Sequence, residues 1–293
     1  MDLPLLAVPN VSEGRDFDAV QSIGAAFSPP GSACRLLDVH RDPDHHRSVF
    51  TLAGPPGALA QALLAGARAT LERVDLRTPR GAHPHVGALD VVPLVHLDAA
   101  RRGAACAEAL LTGELLGREG IPVLLYGALA QGRTRAELRR GGLAALTARL
   151  ASGELIPDFG PRTPHRSAGV TLLAARPPLV AFNLELAPPA DLALARRVAA
   201  QIREGGPEGL PGVRAIGVEL DSRGRRAQVS TNVEDPQRVP LAAVVAAVTR
   251  HAPILAVELV GLAPRAALAG FPPDIEITGA DLGRQVIEER LRY

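Results

Sequence analysis

The chain has 293 residues, of which 47% are hydrophobic and 22% charged, and its formal net charge at pH 7 is +1; this composition is ordinary for a globular protein with a substantial core. The small net charge and the 3% share of aromatic residues, with no tryptophan, argue against nucleic-acid or acidic-membrane partners, which need a strong basic field or stacking platforms. All 32 basic residues are arginines, and the chain contains no lysine. The absence of lysine excludes a Walker A loop and Schiff-base catalysis with pyridoxal phosphate.

Two stretches of the chain show the same order of predicted elements: strand, helix, strand, strand, helix, strand. Hydrophobic periodicity places the first set at residues 4–11, 16–27, 34–40, 47–53, 57–74 and 88–96. The second set lies at residues 179–186, 191–204, 213–221, 226–233, 241–251 and 254–262. A polar, glycine-containing turn at 221–224 is typical of a hairpin within the second set.

This order is that of the ferredoxin-like βαββαβ arrangement. We therefore predict an α+β protein with two such subdomains, residues 1–177 and 178–293, and with a ligand cleft between them. Further elements between the copies and at the end of the chain are predicted as helices 101–118, 135–150 and 282–291 and strands 122–129 and 169–175. Residues 157–167 lack periodicity and contain several prolines, so we predict a loop there that could contact a ligand.

His83 is the strongest candidate for a catalytic side chain. It lies in the segment GAHPHVGALDVVP at residues 81–93, where a loop leads into an apolar strand. Pro84 restricts the backbone of His83 to extended conformations, and the glycines on either side allow a ligand to approach the backbone closely. A histidine in such a loop can also serve only to hydrogen-bond the backbone, and the segment alone does not decide between the two.

The chain resembles the glutamate formimidoyltransferase family over nearly its whole length. We expect the single-function form, without a cyclodeaminase domain. The resemblance depends on six segments in the family's order: VPNVSEGR at 8–15, LLDVHRDPDHHRSVF at 36–50, the His83 segment at 81–93, LLYG at 124–127, PDFGP at 157–161 and ELVGL at 258–262.

The resemblance implies transfer of a formimidoyl group between N-formimidoyl-L-glutamate and N5 of tetrahydrofolate, a step of histidine degradation. Tetrahydrofolate would be the co-substrate, no metal would be needed, and a homodimer is expected. By its position in the motif, His83 corresponds to the catalytic histidine. An imidazole with a pKa of about 6.5 can both accept and donate the proton that this transfer moves at neutral pH.

The resemblance also implies roles for other residues. Arg47 is the first candidate to bind the substrate carboxylates and Arg15 the second, because buried carboxylates need paired cations. Asp38 and Asn10 are candidates to orient the histidine or the amidine nitrogens. Folate binding is expected in the loop made of Gly160, Pro161, Arg162, Thr163, Pro164, His165, Arg166, Ser167, Ala168 and Gly169.

Three histidines depart from the family's common residues. His85 stands where an arginine is common, His46 where an asparagine precedes the strand arginine, and His40 where a small or acidic residue is often found. These departures put the substrate preference in doubt, but His83 itself is retained.

Two alternatives to a formimidoyltransferase remain at this point. The first is a metal-dependent hydrolase, because the side chains of His40, Asp42, Asp44, His45, His46, His83 and His85 are of metal-ligand types. The second is a non-catalytic folate-binding protein, which would keep the 160–169 loop and lose nothing on replacement of His83. The two cysteines, Cys34 and Cys106, are too few for a disulfide framework, and residues 1–10 do not resemble a signal peptide, so we expect a cytoplasmic protein.

Overall fold

The computed structural model of the chain describes residues 3–77, 85–220, 224–279 and 281–292. The chain divides into two compact units, Met1–Pro177 and Pro178–Tyr293. Each unit has its own hydrophobic core between a sheet and the helices packed on it. No helix in these described ranges is long and apolar enough to cross a membrane.

In its described residues, the first unit contains a seven-stranded sheet and five α-helices. Its strands are β1 (Leu5–Ala7), β2 (Asn10–Val11), β3 (Arg35–Asp42), β4 (Arg47–Gly54), β5 (Leu89–Val95), β6 (Val123–Leu125) and β7 (Thr171–Arg176). Its helices are α1 (Phe17–Phe27), α2 (Leu59–Arg73), α3 (Arg102–Arg118), α4 (Arg135–Arg139) and α5 (Gly142–Ala151).

The strands of the first sheet lie in the order β3, β4, β1 with β2, β5, β7 and β6. The part from β3 to β5 is antiparallel, whereas β7 runs parallel to both β5 and β6. Helices α1, α2 and α3 pack on one face of the sheet, and α4 and α5 pack on the opposite face through a separate apolar cluster. Both faces of β5 and β7 are therefore covered.

The second unit repeats the core arrangement with four strands. Its elements are β8 (Val180–Leu186), α6 (Leu192–Ile202), β9 (Val213–Leu220), β10 (Arg226–Val233), α7 (Leu241–Thr249), β11 (Ile254–Val260) and the terminal α8 (Ile287–Arg292). The strand order is β11, β8, β10 and β9, and all neighbouring strands are antiparallel. The first unit has the same order at its core, so the prediction of two βαββαβ subdomains in an α+β protein is confirmed.

Four predicted elements differ from the observed ones, two of them at glycine or proline. The predicted strand 4–11 is divided into β1 and β2 because Pro9 has no amide hydrogen to donate to a neighbouring strand. The predicted helix 135–150 is divided into α4 and α5 by Gly141 and Gly142, whose φ angles are +76° and +70°. The predicted strand 122–129 ends at Leu125 before a short 3-10 turn, and the predicted helix 282–291 is a 3-10 turn followed by α8.

Candidate active site

Arg47 and Asn10, both predicted to be site residues, are in direct contact. Asn10 lies on β2 and Arg47 begins β4, and these strands are paired. The Arg47 Nε and Nη2 atoms donate to Asn10 Oδ1 at 2.9 and 2.6 Å, and Asn10 Nδ2 donates to the Val8 carbonyl at 2.8 Å. The amide of Asn10 therefore fixes the direction of the Arg47 guanidinium.

The same guanidinium faces a buried carboxylate, Asp90 of β5. Only 1% of the Asp90 side chain is exposed. Its Oδ1 accepts hydrogen bonds from the Val86 and Gly87 amides at 2.9 and 3.3 Å, and its Oδ2 lies 3.4 Å from Arg47 Nη1 and also accepts from Arg139 Nη2. Asp90 thus joins β4, the turn before β5 and helix α4.

The charges of this cluster shift the pKa values of both partners. Burial opposes ionisation of Asp90, but the positive charges of Arg139 and Arg47 outweigh burial and hold the Asp90 pKa below its ordinary value. Burial, reinforced by Arg139 and partly offset by Asp90, lowers the pKa of Arg47 to about 9. Arg47 therefore remains cationic at neutral pH.

Two guanidinium groups of the first unit meet at the carboxylate of Asp90. Two arginines with side chains only 15% and 13% exposed, Arg47 and Arg139, share the single carboxylate of Asp90, and Arg135 adds a further positive charge that acts on Arg47. A guanidinium can bind a carboxylate through two parallel hydrogen bonds, so the cluster is suited to an anionic ligand.

The 160–169 loop lies against residues that precede and follow His83 in the chain. Leu76 N–H donates to the Ser167 carbonyl and Ala88 N–H to the Ala168 carbonyl, each at 2.8 Å, while Val170 N–H donates to the Val86 carbonyl at 2.9 Å. His83 itself lies outside the described residues. The predicted folate loop and the flanks of the predicted catalytic segment therefore meet at one place.

Two glycines make this contact possible. Gly169 has a φ angle of +68°, and a Cβ atom there would lie 2.2 Å from the Val86 carbonyl oxygen. A Cβ atom on Gly87 would lie 2.2 Å from the Val170 carbonyl oxygen. A side chain at either position would push the two segments apart.

Residues of the 160–169 loop differ in their exposure to solvent. Its exposed residues are Gly160, Pro161, Arg162, Thr163 and Arg166. Within the loop, His165 Nδ1 accepts a hydrogen bond from the Ala168 amide at 3.1 Å, so that nitrogen carries no proton in this arrangement. Both loop arginines are accessible to a ligand.

The other two predicted residues differ in their positions. Asp38 lies on β3 opposite Thr51 of β4, and alternation along the strands places it on the same sheet face as Arg47. Arg15 is exposed and its Nε donates to the Pro43 carbonyl at 3.0 Å, in the turn between β3 and β4. Arg47 therefore has the stronger geometric support as a carboxylate ligand.

Side chains in and near the turn between β3 and β4 form pairs. His45 Nδ1 lies 2.6 Å from Asp42 Oδ2, and the Gly14 amide donates to His46 Nδ1 at 3.2 Å. Burial raises the Asp42 pKa, but hydrogen bonds and charge from His45 dominate and lower it to about 2. Within the described parts of the chain, no group of three His, Cys, Asp or Glu side chains is placed to hold a metal ion, so no described geometry favours the metal-dependent hydrolase.

Asp90 and Arg139 were not among the predicted site residues. An aspartate inside the otherwise apolar strand run 88–95 is a detectable signal, because a buried carboxylate needs partners. Arg139 has no comparable signal in the sequence, since its contact with Asp90 depends on how α4 packs on the sheet.

Comparisons with known proteins show matches over most of the chain. Residues 5–176 match the profile described as the formiminotransferase domain, N-terminal subdomain, and residues 181–271 match the formiminotransferase domain. The glutamate formimidoyltransferases of Streptococcus pyogenes serotype M1 and Thermoplasma acidophilum are 32% and 31% identical, with 97% of this chain and 97% and 96% of theirs covered. The formimidoyltransferase-cyclodeaminase of Gallus gallus is 37% identical over 89% of this chain, which spans 50% of that protein's length.

Proposed function

The chain belongs to the formiminotransferase family, and from that membership we propose that it is a glutamate formimidoyltransferase. The reaction moves a formimidoyl group between N-formimidoyl-L-glutamate and N5 of tetrahydrofolate, in the degradation of histidine. Tetrahydrofolate is a co-substrate in this reaction, and no further cofactor takes part.

The observation that carries the proposal is the buried cluster of Arg47, Asp90 and Arg139. Formimidoylglutamate has two carboxylates, and the cluster holds two guanidinium groups, those of Arg47 and Arg139, whose side chains are only 15% and 13% exposed. Arg47 binds a substrate carboxylate in this proposal, and Asn10 holds its guanidinium in the required direction. Asp90 contacts both arginines through one carboxylate oxygen, and its negative charge offsets the repulsion between them.

His83 is the proposed general acid and base. N5 of tetrahydrofolate attacks the amidinium carbon and forms the new C–N bond, and His83 accepts the proton that N5 loses. The imidazolium then returns a proton to the glutamate nitrogen as the old C–N bond breaks, so that glutamate leaves as a neutral amine. Such acid and base catalysis contributes about 10² to 10⁴ in rate, and the rest comes from holding the two substrates together.

The 160–169 loop is the proposed folate-binding segment. Its contacts with Val86 and Ala88 support this role, because they place the loop beside the flank of the His83 segment. The exposed Arg162 and Arg166 can pair with the glutamate tail of the folate. Asp38 is proposed to orient the amidinium group from the neighbouring strand.

We also propose a cytoplasmic location and a homodimer. Cys34 and Cys106, both within the described residues, are unbonded thiols, which is typical of a reducing compartment. The homodimer comes from the family resemblance alone, and light scattering of the purified protein measures it.

The proposed function is tested by turnover with tetrahydrofolate and formimidoylglutamate, measured from the absorbance of the product. His83→Ala is expected to lower kcat by about 10² to 10⁴, while His251→Ala, at a histidine of the second unit paired with Glu208, is expected to retain wild-type turnover. Equal rates for wild type and His83→Ala would remove the catalytic assignment. Tetrahydrofolate binding without any wild-type turnover would instead favour the non-catalytic folate-binding protein.

A further inference from the structure

Asp158 lies two residues before the 160–169 loop and contacts the edge strand of the first sheet. Its amide donates to the Val123 carbonyl at 2.9 Å, and its Oδ2 accepts from the Leu125 amide at 2.8 Å. β6 is the last strand in the order of the described sheet, and an edge strand presents backbone groups that need other partners. The segment at Asp158 supplies these partners to β6.

Phe159 holds the same segment from the helix side. A Cβ atom on Gly113 of α3 would lie 2.5 Å from Phe159 Cδ2. A Cβ atom on Gly117, about one turn later, would lie 2.7 Å from the Gly160 amide nitrogen. The Val123 amide also donates to the Phe159 carbonyl at 2.9 Å. Helix α3 and β6 thus hold the residue that directly precedes the loop.

Arg133 makes the contacts that complete this edge. Its Nε and Nη2 atoms donate to the Leu125 carbonyl at 2.9 and 2.7 Å, and Nη2 also donates to Asp158 Oδ2. Leu125 is the last residue of β6, so one ion pair binds both of its backbone groups. A guanidinium is suited to these contacts because it carries several donors in one fixed plane.

Arg133 also lies directly before α4, the helix that carries Arg139. The Arg133 amide donates to the Ala130 carbonyl at 3.0 Å, and the Arg133 carbonyl accepts from the Gly127 amide at 2.8 Å. These bonds close a short turn, after which Thr134 begins the helix with its capping box. The side chain of Arg133 therefore ties the start of α4 to the end of β6.

The contacts of Arg133 thus reach two segments with proposed roles in substrate binding. Asp158 leads into the loop proposed to bind folate, and α4 carries an arginine of the cationic cluster. The side chains of Arg133 and Asp158 are 26% and 30% exposed, and ion pairs with such access to water contribute little to stability. A displaced binding group has a larger effect, of about 100-fold for a shift of about 1 Å. Positioning therefore explains the pair better than stability does.

We infer that Arg133 is a positioning residue for both substrates, because it holds the start of the 160–169 loop through Asp158 and the start of α4 through the Leu125 carbonyl. This inference rests on the proposed formimidoyltransferase function and adds two residues that act through other groups. Asp158 serves the loop alone, so the two members of one ion pair have different expected effects.

Arg133→Met tests the inference because it keeps much of the side-chain length and removes all three hydrogen bonds. The KM values for tetrahydrofolate and for formimidoylglutamate should both rise about 5- to 20-fold, while kcat changes less than about threefold. Asp158→Ala should raise only the KM for tetrahydrofolate, by about fivefold, because the Leu125 carbonyl keeps its bonds from Arg133.

Arg68→Met is the matched control in the same unit. Arg68 pairs with Glu119 and its side chain is 59% exposed, so both KM values should stay at those of the wild type. Arg133→Lys is a second test variant that keeps the positive charge. Because an ammonium lacks the planar fork of a guanidinium, the lysine variant should stay folded and still raise both KM values.

Amide hydrogen exchange measures the displacement without turnover. In Arg133→Met, exchange should become about tenfold faster at residues 135–139 and 158–160, while exchange in β5 stays at the wild-type rate. In Arg68→Met, exchange should be unchanged in all three segments. The dissociation constant for 5-formyltetrahydrofolate, measured by calorimetry, should rise in Arg133→Met together with the KM for tetrahydrofolate.

The outcomes separate this inference from the proposed function. An active wild type whose Arg133→Met and Arg133→Lys variants keep both KM values overturns the inference and leaves the function in place, even if their melting temperatures fall. Equal rises of the formimidoylglutamate KM in Asp158→Ala and Arg133→Met also overturn it. A wild type that binds 5-formyltetrahydrofolate but transfers no formimidoyl group removes the proposed function, whereas faster exchange and weaker folate binding in Arg133→Met still support the inference.

Discussion

The two units have the same strand order at their cores but opposite chemistry on the sheet face turned away from the first two helices. In the first unit, helices α4 and α5 cover part of this face, and Arg47 and Arg139 surround Asp90. In the second unit, the corresponding face carries the two carboxylates of Glu185 and Glu258 and the amide of Gln228, which has no hydrogen-bond partner among the described residues. One backbone arrangement thus provides a cationic face and an acceptor-rich face.

The difference follows from what each unit adds to the shared core. The first unit adds β6 and β7 beside β5, and with them the connecting helices that bring Arg139 to the sheet. In the described residues of the second unit, the sheet has four strands and no addition to them. The shared core of the first unit therefore carries Arg47 and Asp90, and the added elements contribute Arg139.

The largest expected effect comes from breaking the cationic cluster. Arg47→Met leaves Asp90 buried with one arginine fewer, and removal of one partner from a buried ion pair costs about 3–5 kcal/mol of unfolding free energy. The KM for formimidoylglutamate should rise about 100-fold or more, since the carboxylate loses a guanidinium partner. Urea unfolding and steady-state kinetics measure the two effects.

Arg214→Met is the matched control in the second unit. Its guanidinium is 54% exposed between Glu204 and Glu234, and exposed ion pairs contribute only about 0–1 kcal/mol. Its kinetic constants should remain those of the wild type. If both variants lose the same stability and neither changes KM, the first unit has no cationic substrate site and the contrast between the units fails.

The second-largest expected loss of stability comes from disrupting the contact between the 160–169 loop and the turn before β5. Gly169→Ala should cost about 3 kcal/mol or more, because its φ angle is +68° and the added Cβ would lie 2.2 Å from the Val86 carbonyl oxygen. Folate binding should weaken as well, since the loop must move. Thermal unfolding and calorimetry with 5-formyltetrahydrofolate measure both.

Gly224→Ala in the second unit is the control that measures the cost of backbone strain without a steric contact. Its φ angle is +73°, and an added Cβ would have no described atom within 4 Å. Gly224→Ala should therefore cost only about 1–2 kcal/mol, for the left-handed backbone alone. Equal losses at Gly169 and Gly224 would show that the close approach of the two segments contributes nothing.

The sequence predicts the repeated core better than it predicts the additions to it. Alternating apolar residues, and turns such as 221–224, are local signals, so the order of strands and helices in both units follows from them. The position of β7 between β5 and β6 depends instead on contacts far apart in the chain. Gly141 and Gly142 end one helix and begin another within a single apolar pattern, which periodicity alone does not separate.

In the candidate site, too, contacts between residues far apart in the chain were not predicted from the sequence. Asn10 and Arg47 could be predicted because their motifs resemble a family, and the structure places them in contact. The role of Arg139 could not, because its partner Asp90 lies 49 residues earlier in the chain and on a different element. His83 stays a prediction from its motif.

A smaller effect on the unfolding free energy is expected when the buried pair of Asp42 and His45 is broken. The folded-state pKa of Asp42, about 2, lies below its ordinary value of 3.8, so the stabilisation is present above about pH 4 and is lost as the pH falls towards 2. Asp42→Asn should remove about 2 kcal/mol at pH 7. The difference between wild type and variant should shrink when urea unfolding is repeated at pH 3.

The pair of Glu208 and His251 in the second unit is the exposed counterpart, since the Glu208 side chain is 38% exposed. Glu208→Gln should change the unfolding free energy by about 0.5 kcal/mol or less at either pH. A pH-independent loss in Asp42→Asn would mean that the turn is held by shape and backbone hydrogen bonds and that the carboxylate charge contributes nothing.

The smallest effect tests whether an added helix of the first unit positions the substrate. Thr134 begins α4 with a capping box, in which its Oγ1 accepts from the Glu137 amide at 3.2 Å, and Asp191 caps α6 by accepting from the Leu194 amide at 2.7 Å. Thr134→Ala and Asp191→Ala should each cost about 1 kcal/mol. Only Thr134→Ala should also raise the KM for formimidoylglutamate, by about two- to threefold, because α4 carries Arg139. Equal KM values in the two variants would mean that Asp90 alone holds Arg139 in place, and that the cap of α4 contributes stability without positioning the cationic site.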